Sequence, residues 1–264
     1  MHLRRVLSAL LLIPAFLLIV HAGSPLIFHL LVGLVVILAA WEFAQLCPAG
    51  SDTGLALLTA AGAAAWQAAL AMGQGADALP LGLAALALLC LLASRTGLRE
   101  GAIRGAWLLL GAAYTGGFLG TAALLRDLPA GRELIYLLVL TTWAGDSGAY
   151  YAGRSLGRRP LAPTISPKKT LEGAAGGLLA AALVALVAGG WFLPGLPWAG
   201  AAILGLLLAV VGILGDLVES ALKRAVGVKD SGALIPGHGG VLDRLDSLMF
   251  AGPFLYALVR LGLL

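Results

Sequence analysis

A chain of 264 residues that is 60% hydrophobic and only 11% charged cannot be an ordinary soluble domain, in which about 25% of residues are charged. Mean hydropathy is +0.98 and the formal net charge is +4. The short alternating segments of a β-barrel are absent, so the expected class is an all-α integral membrane protein. Cys47 and Cys90 lie far apart in or beside apolar runs and suggest neither a disulfide framework nor a zinc site.

Apolar runs of about 20 residues, each long enough to cross a hydrocarbon core of about 30 Å, recur along the chain. They place spans near 6–20, 25–46, 55–73, 77–94, 105–125, 134–153, 173–193, 198–217 and 247–264. The first, behind Arg4 and Arg5, has the look of a signal sequence. No small-residue cleavage site follows Val20 and nothing downstream reads as a secreted domain, so it counts as a span. The connections are short, and 1–264 reads as a single multi-pass domain, a bundle of about nine transmembrane helices. Within it, 1–130 holds hydrophobic spans whose small residues suit close helix packing, and 131–264 holds the catalytic spans and cytoplasmic loops.

Basic residues set the orientation. With a cytoplasmic N-terminus, all of the 17 Lys and Arg residues except Arg126, Arg132 and Arg260 fall on the cytoplasmic side. The expected location is the inner, cytoplasmic cell membrane, with a polar active-site cavity of the C-terminal half facing the cytoplasm.

Polar and ionisable residues enter the spans after residue 140, and in a membrane such residues are functional by default. The sixth span ends with Asp146, Tyr150 and Arg154, spaced by four and so on one helix face. Asp146 also has a plain reading as a buried partner for Arg154. The loop beyond carries Ser166, Pro167, Lys168, Lys169, Thr170, Glu172 and Gly173. Two lysines, a hydroxyl and the amides of an incipient helix suit an oxyanion. Taken alone, the two lysines read as positive-inside determinants or contacts to anionic lipid.

At the end of the eighth span, Asp216, Glu219, Ser220 and Lys223 share one face, and Asp243, Asp246 and Ser247 repeat part of that spacing before the ninth. Between them lies a basic, glycine-rich loop with Arg224, Lys229, Asp230, His238, Gly239, Gly240 and Arg244. Hard oxygen ligands without cysteine point to Mg²⁺ or Mn²⁺ rather than Zn²⁺. Inter-helix salt bridges are the structural alternative. A Ser247–His238–Asp243 hydrolase lacks a nucleophile elbow, and neither a P-loop nor a dinucleotide fingerprint is present. His2, His21 and His29 stand apart from the cluster.

These residues resemble the signature of the phosphatidate cytidylyltransferase (CDP-diacylglycerol synthase) family. Ser220, Lys223, Arg224, Lys229, Asp230, Gly232, Pro236, His238, Gly239, Gly240, Asp243, Arg244 and Asp246 fill its positions without a gap. The upstream pattern is met by Asp146, Tyr150, Gly153, Arg154, Ser166, Pro167, Lys168, Lys169, Thr170, Glu172 and Gly173. The resemblance covers about residues 140–250; the N-terminal half matches only as a multi-span hydrophobic region.

The resemblance implies transfer of a cytidylyl group from CTP to phosphatidic acid, giving CDP-diacylglycerol and pyrophosphate with Mg²⁺, in phospholipid biosynthesis. It implies Asp216, Asp243 and Asp246 as metal ligands, and Lys223, Arg224 and Arg244 as phosphate holders, with Lys168 and Lys169 beside them. His238 joins the catalytic set. Asp146, Tyr150, Arg154, Ser166, Thr170, Glu172, Ser220, Lys229, Asp230, Gly239 and Gly240 join the substrate-binding set. CTP, phosphatidic acid and the bilayer are the expected partners; nucleic acid is not. The resemblance leaves room for a homodimer and a second cation. Two other readings remain open: a CTP-dependent transferase for another membrane lipid phosphate, and an anion transporter, which would spread its charges through the membrane depth.

Overall fold

The computed structural model describes residues 2–73, 84, 87, 88, 97–234 and 239–264. The span expected near 77–94 lies outside the described residues except at 84, 87 and 88, as do Cys90, Arg95, Pro236 and His238.

The helices are α1 (His2–Ala22), α2 (Pro25–Gln45), α3 (Thr53–Ala71), α4 (Leu98–Asp127), α5 (Gly131–Leu156), α6 (Leu171–Phe192), α7 (Trp198–Ala225) and α8 (Asp246–Arg260). The middle of α4, Ala112–Leu119, is π-helical, and its last turn, Leu125–Asp127, is a 3-10 helix. Among the described residues, five helices are long and apolar enough to cross a membrane: α2, α3, α4, α6 and α7. In α5, by contrast, Arg132, Glu133, Asp146 and Arg154 interrupt the 26 residues. With 15 residues, α8 is shorter than a typical span of about 20, and the run expected to reach 264 leaves the helix after Arg260.

The starts follow from capping chemistry. Ser24 Oγ accepts from Ile27 N with Pro25 in the first turn of α2, and Asp52 Oδ1 accepts from Leu55 N at 2.8 Å to open α3. One departure from an all-helical chain is a hairpin of β1 (Pro160–Ala162) and β2 (Ser166–Thr170), antiparallel, with Pro160 opposite Thr170 and Ala162 opposite Ser166. Pro160, Pro163 and Pro167 exclude helix here, because each lacks an N–H and pushes the preceding residue toward extended backbone.

The chain forms two compact units. The first comprises Met1–Leu124 with Ala225–Leu245. Phe43 of α2 is fully buried, stacks on Trp107 of α4 with ring centroids 4.9 Å apart, and accepts the Trp107 indole N–H on its carbonyl at 2.9 Å. Ala44, Cys47, Leu55, Ala56 and Leu108 close around this contact. The glycine-rich loop at 225–245 belongs to this unit, not to the C-terminal helices that flank it in sequence.

The second unit comprises Leu125–Arg224 with Asp246–Leu264. Its main seam joins α5 to α6 through Gly145, Gly148, Ala149 and Ala152 on one side and Gly173, Gly176, Gly177 and Ala181 on the other. A Cβ on Gly176 would stand 2.3 Å from the Ala152 Cβ, so nothing larger than glycine fits. In lipid, where apolar burial brings little, such close backbone approach is the main source of helix association. Close small-residue packing thus occurs in the half expected to carry chemistry as well as in the N-terminal spans, where a Cβ on Gly116 would stand 2.3 Å from Ala63 O.

Candidate active site

In the second unit, Lys169, Asp216, Asp246 and Asp146 come together. Lys169 closes β2, and its position follows from how the hairpin is tied down. Thr170 caps α6, its Oγ1 accepting from Gly173 N at 3.1 Å. Glu172 accepts from the backbone N–H groups of Arg158 and Arg159, at 3.0 and 3.2 Å, and from Arg159 Nε at 3.0 Å. Leu171 N donates to Arg159 O at 2.9 Å. Of the amides at the start of α6, those of Leu171 and Gly173 are therefore used within the chain, and Thr170 and Glu172 act as braces for the hairpin.

Lys169 Nζ then lies 2.5 Å from Asp216 Oδ2, with the two side chains 26% and 28% exposed. Ser220 Oγ donates to Asp216 Oδ1 at 3.2 Å, one helical turn on. Asp246, the first residue of α8, accepts from Ser247 N on Oδ1 at 2.7 Å. The charged groups acting on Asp246 are Asp216, Asp146 and Lys169. Close approach of α7 permits this: a Cβ on Gly215 would stand 2.5 Å from the Asp246 carbonyl oxygen.

The face expected to hold Asp216, Glu219, Ser220 and Lys223 divides into two pairs. Asp216 and Ser220 form one, and buried Glu219 and Lys223 form the other, with Nζ and Oε1 3.1 Å apart. Lys223 is thus buried against a carboxylate, while Arg224 beside it is exposed. On α5, Arg154 Nη1 donates to Tyr150 OH at 3.0 Å, and both side chains are exposed. Lys168 is exposed and Ser166 half-buried. A cavity of about 380 Å³ opens where α5 meets the hairpin, lined by Leu156, Arg158, Arg159 and Glu172.

The first unit holds the rest of the signature. Asp243 lies in a 3-10 turn, Leu242–Arg244, and accepts from Ser231 N on Oδ1 at 3.2 Å and on Oδ2 at 3.0 Å. Gly240 N also donates to Oδ2, at 3.0 Å. Gly239, at φ +89°, turns the chain toward this carboxylate. Lys229, Asp230 and Arg244 are exposed. Sequence reasoning missed Glu42 of α2, a carboxylate only 3% exposed that bonds to Ser231 and Leu242 of this loop. Its signal was a lone acidic residue in the apolar helix 25–45.

Among the described residues, no three His, Cys, Asp or Glu side chains form a metal-holding group. The donor set still suits Mg²⁺, which is commonly held by one or two carboxylates together with substrate phosphates rather than by a protein cage. Asp216 and Asp246 are two carboxylates whose charges act on one another, and Asp216 is paired with the Lys169 ammonium.

The apolar helices and the ionisable cluster they carry define a multi-pass helical membrane protein. Residues 3–262 match the sequence profile of the cytidylyltransferase family, and the chain belongs to that family. It is 52% identical over 135 residues to the phosphatidate cytidylyltransferase of Bacillus subtilis (strain 168), a match covering 50% of this chain and 49% of the relative. The phosphatidate cytidylyltransferase of Synechocystis sp. is 48% identical over 137 residues, 52% of this chain and 46% of the relative. The uncharacterized protein YnbB of Escherichia coli (strain K12) is 44% identical over 134 residues, covering 51% and 45%. The chain spans about half the length of each of these relatives.

Proposed function

We propose that the protein is a phosphatidate cytidylyltransferase: an ionised phosphate oxygen of phosphatidic acid attacks the α-phosphorus of CTP. One P–O bond forms, the α–β bridging P–O bond breaks, and pyrophosphate leaves with the electron pair, giving CDP-diacylglycerol. The observation that carries this reading is the Lys169–Asp216 pair with Asp246 beside it, a cation among carboxylates braced by a hairpin. The chain's similarity to the phosphatidate cytidylyltransferases of Bacillus subtilis and Synechocystis supports it.

The nucleophile needs little activation, because the second pKa of a phosphomonoester is about 6. The obstacle is bringing two polyanions together, and positioned cations answer it. Lys169 orients Asp216 and neutralises charge at the hairpin end; Lys168 and the exposed Arg158 and Arg159 meet phosphates arriving from the aqueous side. Asp216 and Asp246 would hold Mg²⁺, which when bound supplies charge neutralisation at the transferring phosphate. The sequence signature gives Asp243, in the first unit, as a further candidate ligand. The positive-inside pattern supports a cytoplasmic N-terminus, a site at the cytoplasmic face and residence in the inner membrane.

The test is pyrophosphate release from CTP by purified protein in detergent–phosphatidate micelles, with Mg²⁺ present or chelated. Release that requires both phosphatidate and Mg²⁺, with a CDP-lipid product, upholds the reading. Turnover only with another lipid phosphate would replace the substrate. Anion flux in sealed vesicles without CTP turnover would replace the class.

A further inference from the structure

Glu42 sits in the most apolar part of the first unit, on a helix with a mean hydropathy of 2.3, and is 3% exposed. A carboxylate there is costly unless hydrogen bonds compensate it. Its Oε2 accepts from Ser231 Oγ at 3.2 Å and from Leu242 N at 3.0 Å, partners 189 and 200 positions away. Oε1 has no hydrogen-bond partner among the described residues and faces loop backbone: a Cβ on Gly232 would stand 2.7 Å from it. A Cβ on Gly240 would stand 2.5 Å from Oε2 and 2.0 Å from Ser231 Oγ. Glycine at both positions is therefore what lets the loop close around this one side chain.

The two groups that Glu42 holds both lead to Asp243. Ser231 presents its amide to both Asp243 oxygens, and Leu242 is its fully buried neighbour in the same 3-10 turn. We infer that Glu42 is a positioning residue for Asp243: it anchors the signature loop at Ser231 and Leu242 and so sets where the Asp243 carboxylate lies. Its bearing on catalysis rests on the function proposed above; its anchoring of the loop does not.

The experiment compares wild type, Glu42→Gln, Glu42→Ala, Ser231→Ala, Asp243→Asn and the Glu42→Ala/Asp243→Asn double variant in detergent. It reads kcat and KM with CTP and phosphatidate, and amide hydrogen exchange across 231–243. Glu42→Gln keeps an acceptor for both donors, so kcat should stay within about three-fold, whereas Glu42→Ala should lower it about 100-fold with KM for CTP little changed. Exchange at 231–243 should quicken about ten-fold or more in Glu42→Ala while α3 stays protected. Added to Asp243→Asn, Glu42→Ala should cost no more than about three-fold further, because residues acting through one another are not additive. Unchanged loop exchange in Glu42→Ala, or losses that multiply in the double variant, would overturn the inference. If Glu42→Ala does not fold, Ser231→Ala decides: faster loop exchange supports the anchor, and unchanged exchange refutes it. If the wild type turns over no CTP with phosphatidate, the proposed function fails while the exchange arm still judges the anchor.

Discussion

Lys169, at the end of the hairpin, and Asp216, inside the apolar helix α7, form an ion pair 2.5 Å long with about a quarter of each side chain exposed. On the proposed function the Lys169 ammonium is the member of this pair that can meet a phosphate, since the Asp216 carboxylate repels one. Lys169→Met should lower the rate of CDP-lipid formation about 100-fold, the effect of removing one positioned charge donor. Lys169→Arg should restore only part of it, because a planar guanidinium does not fit where a point charge sat.

Asp246, at the start of α8, accepts from Ser247 N, and the charges of Asp216, Asp146 and Lys169 act on it. Asparagine keeps an oxygen acceptor for that N–H. Asp246→Asn should therefore keep the unfolding midpoint within an equivalent of about 0.5 kcal/mol while CDP-lipid formation falls at least about 100-fold. A loss of activity matched by a loss of stability would assign Asp246 to a structural role alone.

The hairpin braces should behave as structure. Thr170→Ala removes the α6 cap and should cost about 1 kcal/mol, read as a lower unfolding midpoint in detergent. Glu172→Ala frees the Arg158 and Arg159 amides and the Arg159 guanidinium together. Limited trypsin digestion should then cleave within 158–169 sooner than in the wild type.

Gly176→Ala tests the α5–α6 seam, where the added methyl would stand 2.3 Å from the Ala152 Cβ. Overpacking of this kind should destabilise by about 1–3 kcal/mol. The double variant Gly176→Ala/Ala152→Gly should recover much of the loss in the same thermal measurement.

Asp52 gives the acid response of the first unit a sign. The Leu55 amide, and after it the Arg104 guanidinium, hold its carboxyl below the usual aspartate value. A lowered folded-state pKa adds stability above about pH 4 that is lost as pH falls through the folded value. The side chain is 58% exposed, so solvent screening keeps the charge contribution below about 1 kcal/mol. Asp52→Asn should retain the cap and flatten the acid limb of a stability–pH curve; an unchanged limb would assign that limb to other carboxylates.

Composition and hydropathy alone determined the membrane class and placed the described helices, because apolar runs report directly on the lipid that surrounds them. Short-range spacing was equally legible: Tyr150 with Arg154 and Asp216 with Ser220 bond across one helical turn, as their four-residue separation requires. Asp216 and Asp246 stood out in sequence because charge in or beside an apolar run is expensive, whereas Lys169 entered the candidate site only with its hairpin neighbours and through the family resemblance. Tertiary structure alone decided which of these charges meet. It turned Thr170 and Glu172 into braces, buried Lys223 against Glu219, and folded the 225–245 loop into the unit of the N-terminal helices. It also exposed the role of Glu42, whose partners lie 189 and 200 positions away. Helical periodicity speaks only for neighbours within a turn or two, whereas a buried carboxylate is compensated by whatever donors the folded chain brings to it, from any distance in sequence.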